Sequence, residues 1–264
     1  MDQQQTKTGY AEVNGVKLYY EVHGHGEPLV LLHGGVVGIP MLASILPELA
    51  RDRQVIAVEL RGHGRSAEIE AEFSFEAMAD DVAGVMEHLG IKSADAMGYS
   101  LGGNVVQQFV MRHPEKVRKL IIVSAAYKRS AWYPEILDAF EHMGPEAGEM
   151  MKQSPLAQFF PNLDWNVLFD KTGRLLRQDF DWSSGMAEVK STTLLIFADA
   201  DSIKTSHAAE YYELLGGGQR DAGLDGSLRP KNRLAILPGQ THYDIIGSPT
   251  LVRVVTDFLD APDE

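Results

Sequence analysis

The sequence lacks cysteine altogether and lacks long apolar runs. Without cysteine there are no disulfides, no thiolate metal ligands and no cysteine nucleophile, a composition typical of a reducing compartment. No apolar run reaches the length of a membrane span, and residues 1–5 show neither the basic nor the apolar part of a secretory signal. We therefore expect a cytoplasmic protein with no membrane insertion.

Basic residues are also scarce. The chain has 24 lysines and arginines against 37 aspartates and glutamates, for a net charge of −13 without any acidic block. This balance disfavours nucleic acid and anionic membranes as partners. The 264 residues can bury one large core with an insertion. Nothing in the sequence decides between a monomer and a homodimer.

Apolar strands alternate with amphipathic helices along most of the chain. Asn14-Gly15 predicts a hairpin between two opening strands. Further strands are predicted at 28–32, 54–60, 94–97, 117–123, 193–198 and 233–237, and helices at 39–50, 75–89, 104–113, 206–215 and 250–259. The alternation predicts an α/β protein with a largely parallel sheet covered by helices on both faces.

Residues 127–189 break this rhythm, because no buried strand can be found there. The segment holds all three tryptophans and 10 of the 22 aromatic residues. It is either a helical insertion with a small core of its own or a lid above an apolar pocket. We predict a helical cap at 127–189 on a core domain formed by 1–126 and 190–264. The aromatic residues expected to face a substrate are Trp132, Tyr133, Phe159, Phe160 and Trp165.

The pentapeptide Gly98-Tyr99-Ser100-Leu101-Gly102 has the pattern Gly-x-Ser-x-Gly. It lies between a predicted strand and a predicted helix, which is the context in which such a turn exposes a serine as a nucleophile. Small residues at both ends let the backbone close, and the helix N-terminus favours developing negative charge. We therefore interpret Ser100 as a nucleophile.

A serine nucleophile needs a base, and the base needs an acid. His242 lies in a loop after a late strand, at the sheet edge where Ser100 also lies. Asp199 and Asp201 follow the strand at 193–198, and we favour Asp201 because Asp199 lies almost on the strand. The strand at 117–123 ends in Ser124-Ala125-Ala126, without a competing carboxylate.

The reaction of a serine with a carbonyl also requires donors for an oxyanion. The N–H of Leu101 follows the nucleophile directly. A second donor is expected from the loop after the strand at 28–32, where Gly35 stands two residues past His33.

These motifs together resemble the α/β-hydrolase superfamily over nearly the whole chain. They are His33-Gly34, the turn at 61–66, the segment at 98–103, Asp201 and the segment at 239–242, in the family's order. The resemblance implies a mostly parallel, doubly wound, eight-stranded sheet with a helical cap after the sixth strand. It also implies Ser100 as nucleophile, Asp201 as acid, His242 as base, and oxyanion donors at Gly35 and Leu101.

The function expected from this resemblance is that of a serine hydrolase without metal or cofactor, acting on a small hydrophobic ester as a carboxylesterase. A lactonase, a C–C bond hydrolase and a cofactor-free perhydrolase are alternatives with the same residues, since the fold does not choose the substrate. A different class of protein, a non-catalytic binder of a small ligand on the same scaffold, also remains open.

Overall fold

The computed structural model describes residues 6–66 and 70–262. The interpretation of residues 1–5, and the ends of the predicted core domain at 1 and 264, lie outside these described residues. Within them, eight β-strands form one sheet. The strands are β1 (Lys7–Val13), β2 (Val16–His23), β3 (Glu27–Leu32), β4 (Arg53–Val58), β5 (Ala94–Tyr99), β6 (Val117–Val123), β7 (Thr192–Ala200) and β8 (Arg233–Thr241).

The strand order across the sheet is β1-β2-β4-β3-β5-β6-β7-β8. The β1–β2 and β2–β4 pairs are antiparallel, and every later pair is parallel. The opening hairpin turns at Asn14 and Gly15, both with positive φ, as its sequence predicts. The prediction of a mostly parallel, eight-stranded α/β sheet is confirmed.

Helices connect the parallel strands. They are α1 (Leu46–Leu49), α2 (Phe75–His88), α3 (Leu101–Arg112), α4 (Pro134–Glu141), α5 (Pro145–Met151), α6 (Trp165–Arg177), α7 (Ser183–Ala187), α8 (Thr205–Leu214) and α9 (Pro249–Asp260). Short 3-10 turns occur at Ile39–Leu42, Pro114–Lys116, Arg129–Ala131, Pro155–Phe159 and Ile245–Gly247.

The single helix predicted at 39–50 is wrong. The structure has a 3-10 turn over Ile39–Leu42 and then the four-residue helix α1. Pro47 lies within the predicted span, where a proline removes one helical hydrogen bond and clashes with the preceding turn. The apolar positions of the segment are nevertheless buried, which is why the helical spacing suggested one continuous element.

The last two strands are longer than predicted. The pairing of β7 with β8 continues, across an irregularity, to a contact between Ala200 and Thr241. Asp201 and His242 therefore each follow a residue that is paired with the neighbouring strand.

The sheet separates two apolar clusters. One contains residues of α2, α3 and α8, and the other contains residues of α1 and α9. The segment at 127–189, called the insert below, contains α4 to α7 and lies between β6 and β7. Its buried residues belong to the α2–α3 cluster, so the insert does not enclose a separate core. Its division from the rest as a cap domain stays a prediction. In the described ranges, no helix is long and apolar enough to cross a membrane.

Candidate active site

Ser100 forms the sharp turn from β5 into α3. Its backbone has φ 53° and ψ −118°, a strained conformation for a residue with a side chain. The flanking glycines make the turn possible by close approach. A Cβ on Gly98 would collide with the carbonyl oxygen of Gly102, and a Cβ on Gly102 would lie 2.5 Å from the carbonyl oxygen of His33. The sequence pattern is thus explained by backbone contacts within the turn.

The structure brings Ser100, His242 and Asp201 into one hydrogen-bonded series. Ser100 Oγ lies 3.0 Å from His242 Nε2, and His242 Nδ1 lies 2.9 Å from Asp201 Oδ1. Because an ionised carboxylate only accepts hydrogen bonds, we assign the imidazole proton to Nδ1. Nε2 is then free to accept the hydroxyl proton of Ser100. This is the arrangement in which a histidine acts as a base toward a serine.

Asp201 is buried and fully hydrogen-bonded. Its Oδ2 accepts from Ser124 Oγ at 2.6 Å and from the Ala198 N–H at 3.0 Å, and its Oδ1 also accepts from the Ile203 N–H at 3.3 Å. Burial alone would raise the pKa of the Asp201 carboxyl. The hydrogen bond and charge of His242, together with the bonds from Ser124 and Ala198, hold that pKa below its usual range. Asp201 is therefore a carboxylate at neutral pH.

Asp199, the other carboxylate considered for this role, is placed differently. It lies exposed near the end of β7, and its Oδ1 accepts a hydrogen bond from the Gln240 N–H at 3.2 Å. The structure thus brings Asp201 to the imidazole of His242. Asp199 instead holds the backbone at Gln240, two residues before His242. Their catalytic roles remain predictions.

The two expected oxyanion donors lie beside the serine. Gly35 and Leu101 line the same cavity as Ser100, and a Cβ on Gly35 would be 3.6 Å from Leu101 Cδ2. Among the described residues, neither backbone N–H has a hydrogen-bond acceptor. Val36, next in the loop, has φ 60°, which is strained for a β-branched residue. Two N–H groups without an acceptor among the described residues thus belong to residues of the cavity that contains Ser100.

His33 fixes the start of this loop. Its Nε2 accepts a hydrogen bond from the Leu60 N–H at 3.1 Å, and its Nδ1 donates to the Gly34 carbonyl at 2.6 Å. Burial lowers the pKa of His33 to about 4, so the ring is neutral at pH 7. His33 therefore has a structural role in this loop.

A cavity of about 310 Å³ opens onto Ser100. It is lined mainly by apolar side chains from the loop after β3, α3 and the insert. From the insert, α4 and the residues just after it contribute Ile136, Ala139, Phe140 and Met143. These four are spaced i, i+3, i+4 and i+7, so they form one face of the helical segment. That periodicity is readable in the sequence and is the signal by which this face of the insert could be predicted.

Of the five insert aromatics expected to face a substrate, the structure places only Trp132 in the cavity wall. Phe159 is 62% exposed, and Tyr133 is partly exposed while its N–H donates to the Ser202 carbonyl. Phe160 and Trp165 pack against each other inside the protein, with ring centroids 6.4 Å apart. The other four therefore lie outside the wall of this cavity, and their contact with a substrate stays a prediction. Aromatic content shows that an insert has a core but not which side chains face the pocket.

No group of three or more histidine, aspartate or glutamate side chains is arranged to hold a metal ion within residues 6–66 and 70–262.

Comparison with known proteins shows the family and the fold. A sequence profile of the family described as alpha/beta hydrolase fold matches residues 27–162. The 2-hydroxymuconate semialdehyde hydrolase of Pseudomonas sp. strain CF600 is 33% identical over 155 residues. That match covers 56% of this chain but only 54% of the relative, so the chain matches about half of that protein's length.

Two further proteins are similar over more of their length. The AB hydrolase superfamily protein YisY of Bacillus subtilis is 30% identical over 71% of this chain and 79% of its own length. The crystal structure of carboxylesterase CesB from Bacillus subtilis superposes with a TM-score of 0.76 over 99% of this chain and 94% of that one. At 19% identity, the second similarity shows a shared fold only.

Proposed function

Because this chain belongs to the alpha/beta hydrolase family, we propose that it is a serine hydrolase that cleaves a small, uncharged, hydrophobic carboxylic ester. The observation that carries the proposal is the hydrogen-bonded series from Asp201 through His242 to Ser100, which ends in a mainly apolar cavity. We further propose that the insert acts as a cap, since its α4 face forms part of the cavity wall.

In the first half of the reaction, Ser100 Oγ attacks the ester carbonyl and His242 Nε2 takes the hydroxyl proton. The carbonyl electron pair moves to oxygen, which the N–H groups of Gly35 and Leu101 stabilise. The tetrahedral intermediate then collapses, the C–O bond to the alcohol breaks, and the proton on His242 passes to the departing alkoxide. The acyl group remains on Ser100.

In the second half, His242 removes a proton from a water molecule, whose oxygen attacks the acyl carbon. The same donors stabilise the second oxyanion, and His242 returns the proton to Ser100 as the carboxylic acid leaves. Asp201 keeps its negative charge throughout and stabilises each imidazolium that forms.

The cavity wall supports an uncharged substrate. Within the described part of the chain, no lysine, arginine, aspartate or glutamate lines the cavity. A buried carboxylate without a cationic partner is strongly disfavoured. A muconate semialdehyde, the substrate class named for the relative from Pseudomonas, retains a carboxylate. The lining therefore favours an ester or lactone over that C–C bond substrate.

The test is a labelling and hydrolysis experiment. We expect a fluorophosphonate to label Ser100 in the wild-type protein but not in Ser100→Ala. A panel of nitrophenyl esters, lactones and a carboxylated vinylogous diketone should show highest kcat/KM for the short neutral esters. Failure to label the folded protein would favour a non-catalytic binding protein, and highest kcat/KM for the diketone would favour a C–C bond hydrolase.

A further inference from the structure

Ser124 follows β6 directly and is completely buried. Its backbone has φ 48°, and its N–H donates to the Ile196 carbonyl of β7 at 2.8 Å. Its Oγ donates to Asp201 Oδ2 at 2.6 Å. The residue after β6 thus contacts the proposed catalytic acid through its side chain.

Two side chains of α3, the helix that follows Ser100, hold the backbone two residues after Ser124. The Ala126 carbonyl accepts hydrogen bonds from Asn104 Nδ2 at 2.7 Å and from Gln107 Nε2 at 3.4 Å. Both donors belong to α3, and Asn104 lies one turn after Ser100. The hydroxyl of Ser124 is therefore fixed relative to Ser100 as well as to Asp201.

Resting on the proposed function, we propose that Ser124 is a positioning residue that sets the orientation and the charge distribution of the Asp201 carboxylate. A carboxylate can rotate about its bond to Cβ, and only one orientation directs Oδ1 at His242 Nδ1. Donors at Oδ2 from Ser124 and from the Ala198 backbone select that orientation. Ser124 supplies the only side-chain donor to Oδ2 among the described residues.

The hydroxyl of Ser124 also withdraws charge from the carboxylate. A carboxylate that accepts a hydrogen bond is a weaker base than one that does not. Without Ser124 the carboxylate would carry more charge on Oδ1 and would stabilise the imidazolium of His242 more strongly. The acid limb of the activity profile would then move to higher pH.

The test compares Ser124→Ala with Ser124→Gly. Both remove the hydroxyl, but glycine also relieves the positive-φ backbone, so the pair separates loss of the hydrogen bond from backbone strain. We expect kcat to fall about 3- to 30-fold in both variants with KM within about twofold, as for loss of one hydrogen bond to a charged group. The acid limb of kcat/KM should move up by about 0.3 to 1 pH unit in both.

A second readout is the downfield proton resonance of the His242 Nδ1–H, which should shift in both variants. An acid limb and a resonance that match wild type in either variant would overturn the proposal, even where kcat falls. Recovery of kcat in Ser124→Gly alone would assign the effect to backbone strain and would also overturn it. The proposed function is tested first on the wild-type protein, by fluorophosphonate labelling of Ser100 and by ester hydrolysis. Its failure is therefore recognised there, separately from any result with the Ser124 variants.

Discussion

The hydroxyl of Tyr99 donates a 2.5 Å hydrogen bond to the backbone carbonyl of His242. Tyr99 precedes the nucleophile in the turn, and its ring centroid lies 5.6 Å from that of His242. Burial, with the nearby charge of Asp201, raises the pKa of Tyr99, so the phenol keeps its proton at neutral pH. One side chain thus joins the turn that carries the serine to the loop that carries the histidine.

The first prediction concerns the loss of the Tyr99 hydroxyl. Tyr99→Phe leaves the buried carbonyl of His242 without its donor, which costs about 1–3 kcal/mol. We expect kcat/KM for a short nitrophenyl ester to fall about 5- to 50-fold, since a small displacement of the base is enough to do so. The matched control is Tyr243→Phe, because Tyr243 also neighbours His242 but is 73% exposed. Equal effects of the two substitutions would contradict this role for Tyr99.

The second prediction separates Asp199, near the end of β7, from Asp201, which follows that strand. Asp201→Asn should reduce kcat by about 10⁴, because an amide at this position favours the wrong tautomer of His242. Asp199→Asn should remain within about fivefold of wild type, since it changes only an exposed hydrogen bond to the Gln240 backbone. Steady-state kinetics on one ester measures both variants. The reverse pattern would identify Asp199 as the acid.

The third prediction concerns stability in acid. Burial lowers the pKa of His33 and of His207 to about 4, and that of His63 to about 3. The unfolded chain binds these protons near pH 6.5, so between about pH 6.5 and 4 it gains protons that the folded protein does not accept. The free energy of unfolding should therefore fall with decreasing pH, by about 1.4 kcal/mol per unit for each such histidine.

His207 offers the clearest variant for this measurement. It packs against Tyr127 with ring centroids 4.5 Å apart, and neither ring nitrogen has a hydrogen-bond partner among the described residues, although Glu210 Oε2 lies 3.7 Å from Nδ1. His207→Phe should lower the pH slope of urea unfolding between pH 6.5 and 5 by about one proton. The exposed His142, changed to glutamine, is the control and should leave the slope unaltered. An unchanged slope in His207→Phe would show that this ring is not buried in its neutral form.

The fourth prediction concerns the size of the cavity. Ala139 is the smallest side chain that α4 contributes to its wall. Ala139→Phe should reduce kcat/KM at least about tenfold for hexanoyl and longer esters, while acetyl esters stay within about threefold. Asp138→Phe places the same ring on the exposed face of α4 and should leave the chain-length profile unchanged. A parallel loss for all esters with Ala139→Phe would indicate damage to the fold rather than a shorter pocket.

The sequence predicts the sheet and the three proposed catalytic residues because both depend on the order of strands and helices along the chain. Parallel strands place their carboxyl ends at one edge, so the loops holding Ser100, Asp201 and His242 meet wherever the alternation is right. The direction of the insert's side chains depends on how its helices pack, which composition does not contain. Aromatic character therefore predicts the place of Trp132 in the cavity wall, but it does not predict the α4 face at 136–143.

Ser124 illustrates a different limit. The sequence identifies this position, directly after β6, only as one that has no carboxylate side chain. A serine there has no signal of its own in the sequence, since its contact with Asp201 joins residues 77 positions apart. The contact appears only when the β6–β7 register and the positive φ of Ser124 are known.

The pairing of Ala200 with Thr241 has a consequence for engineering. Asp201 and His242 each lie one residue beyond this pair, so their spacing is set by the strand ladder rather than by the chain between the strands. The connection from α8 to β8, residues 215–232, runs over the surface and includes the fully exposed Leu224. Length can therefore be added there at low entropic cost, which makes this loop a suitable position for a fused reporter or an affinity tag.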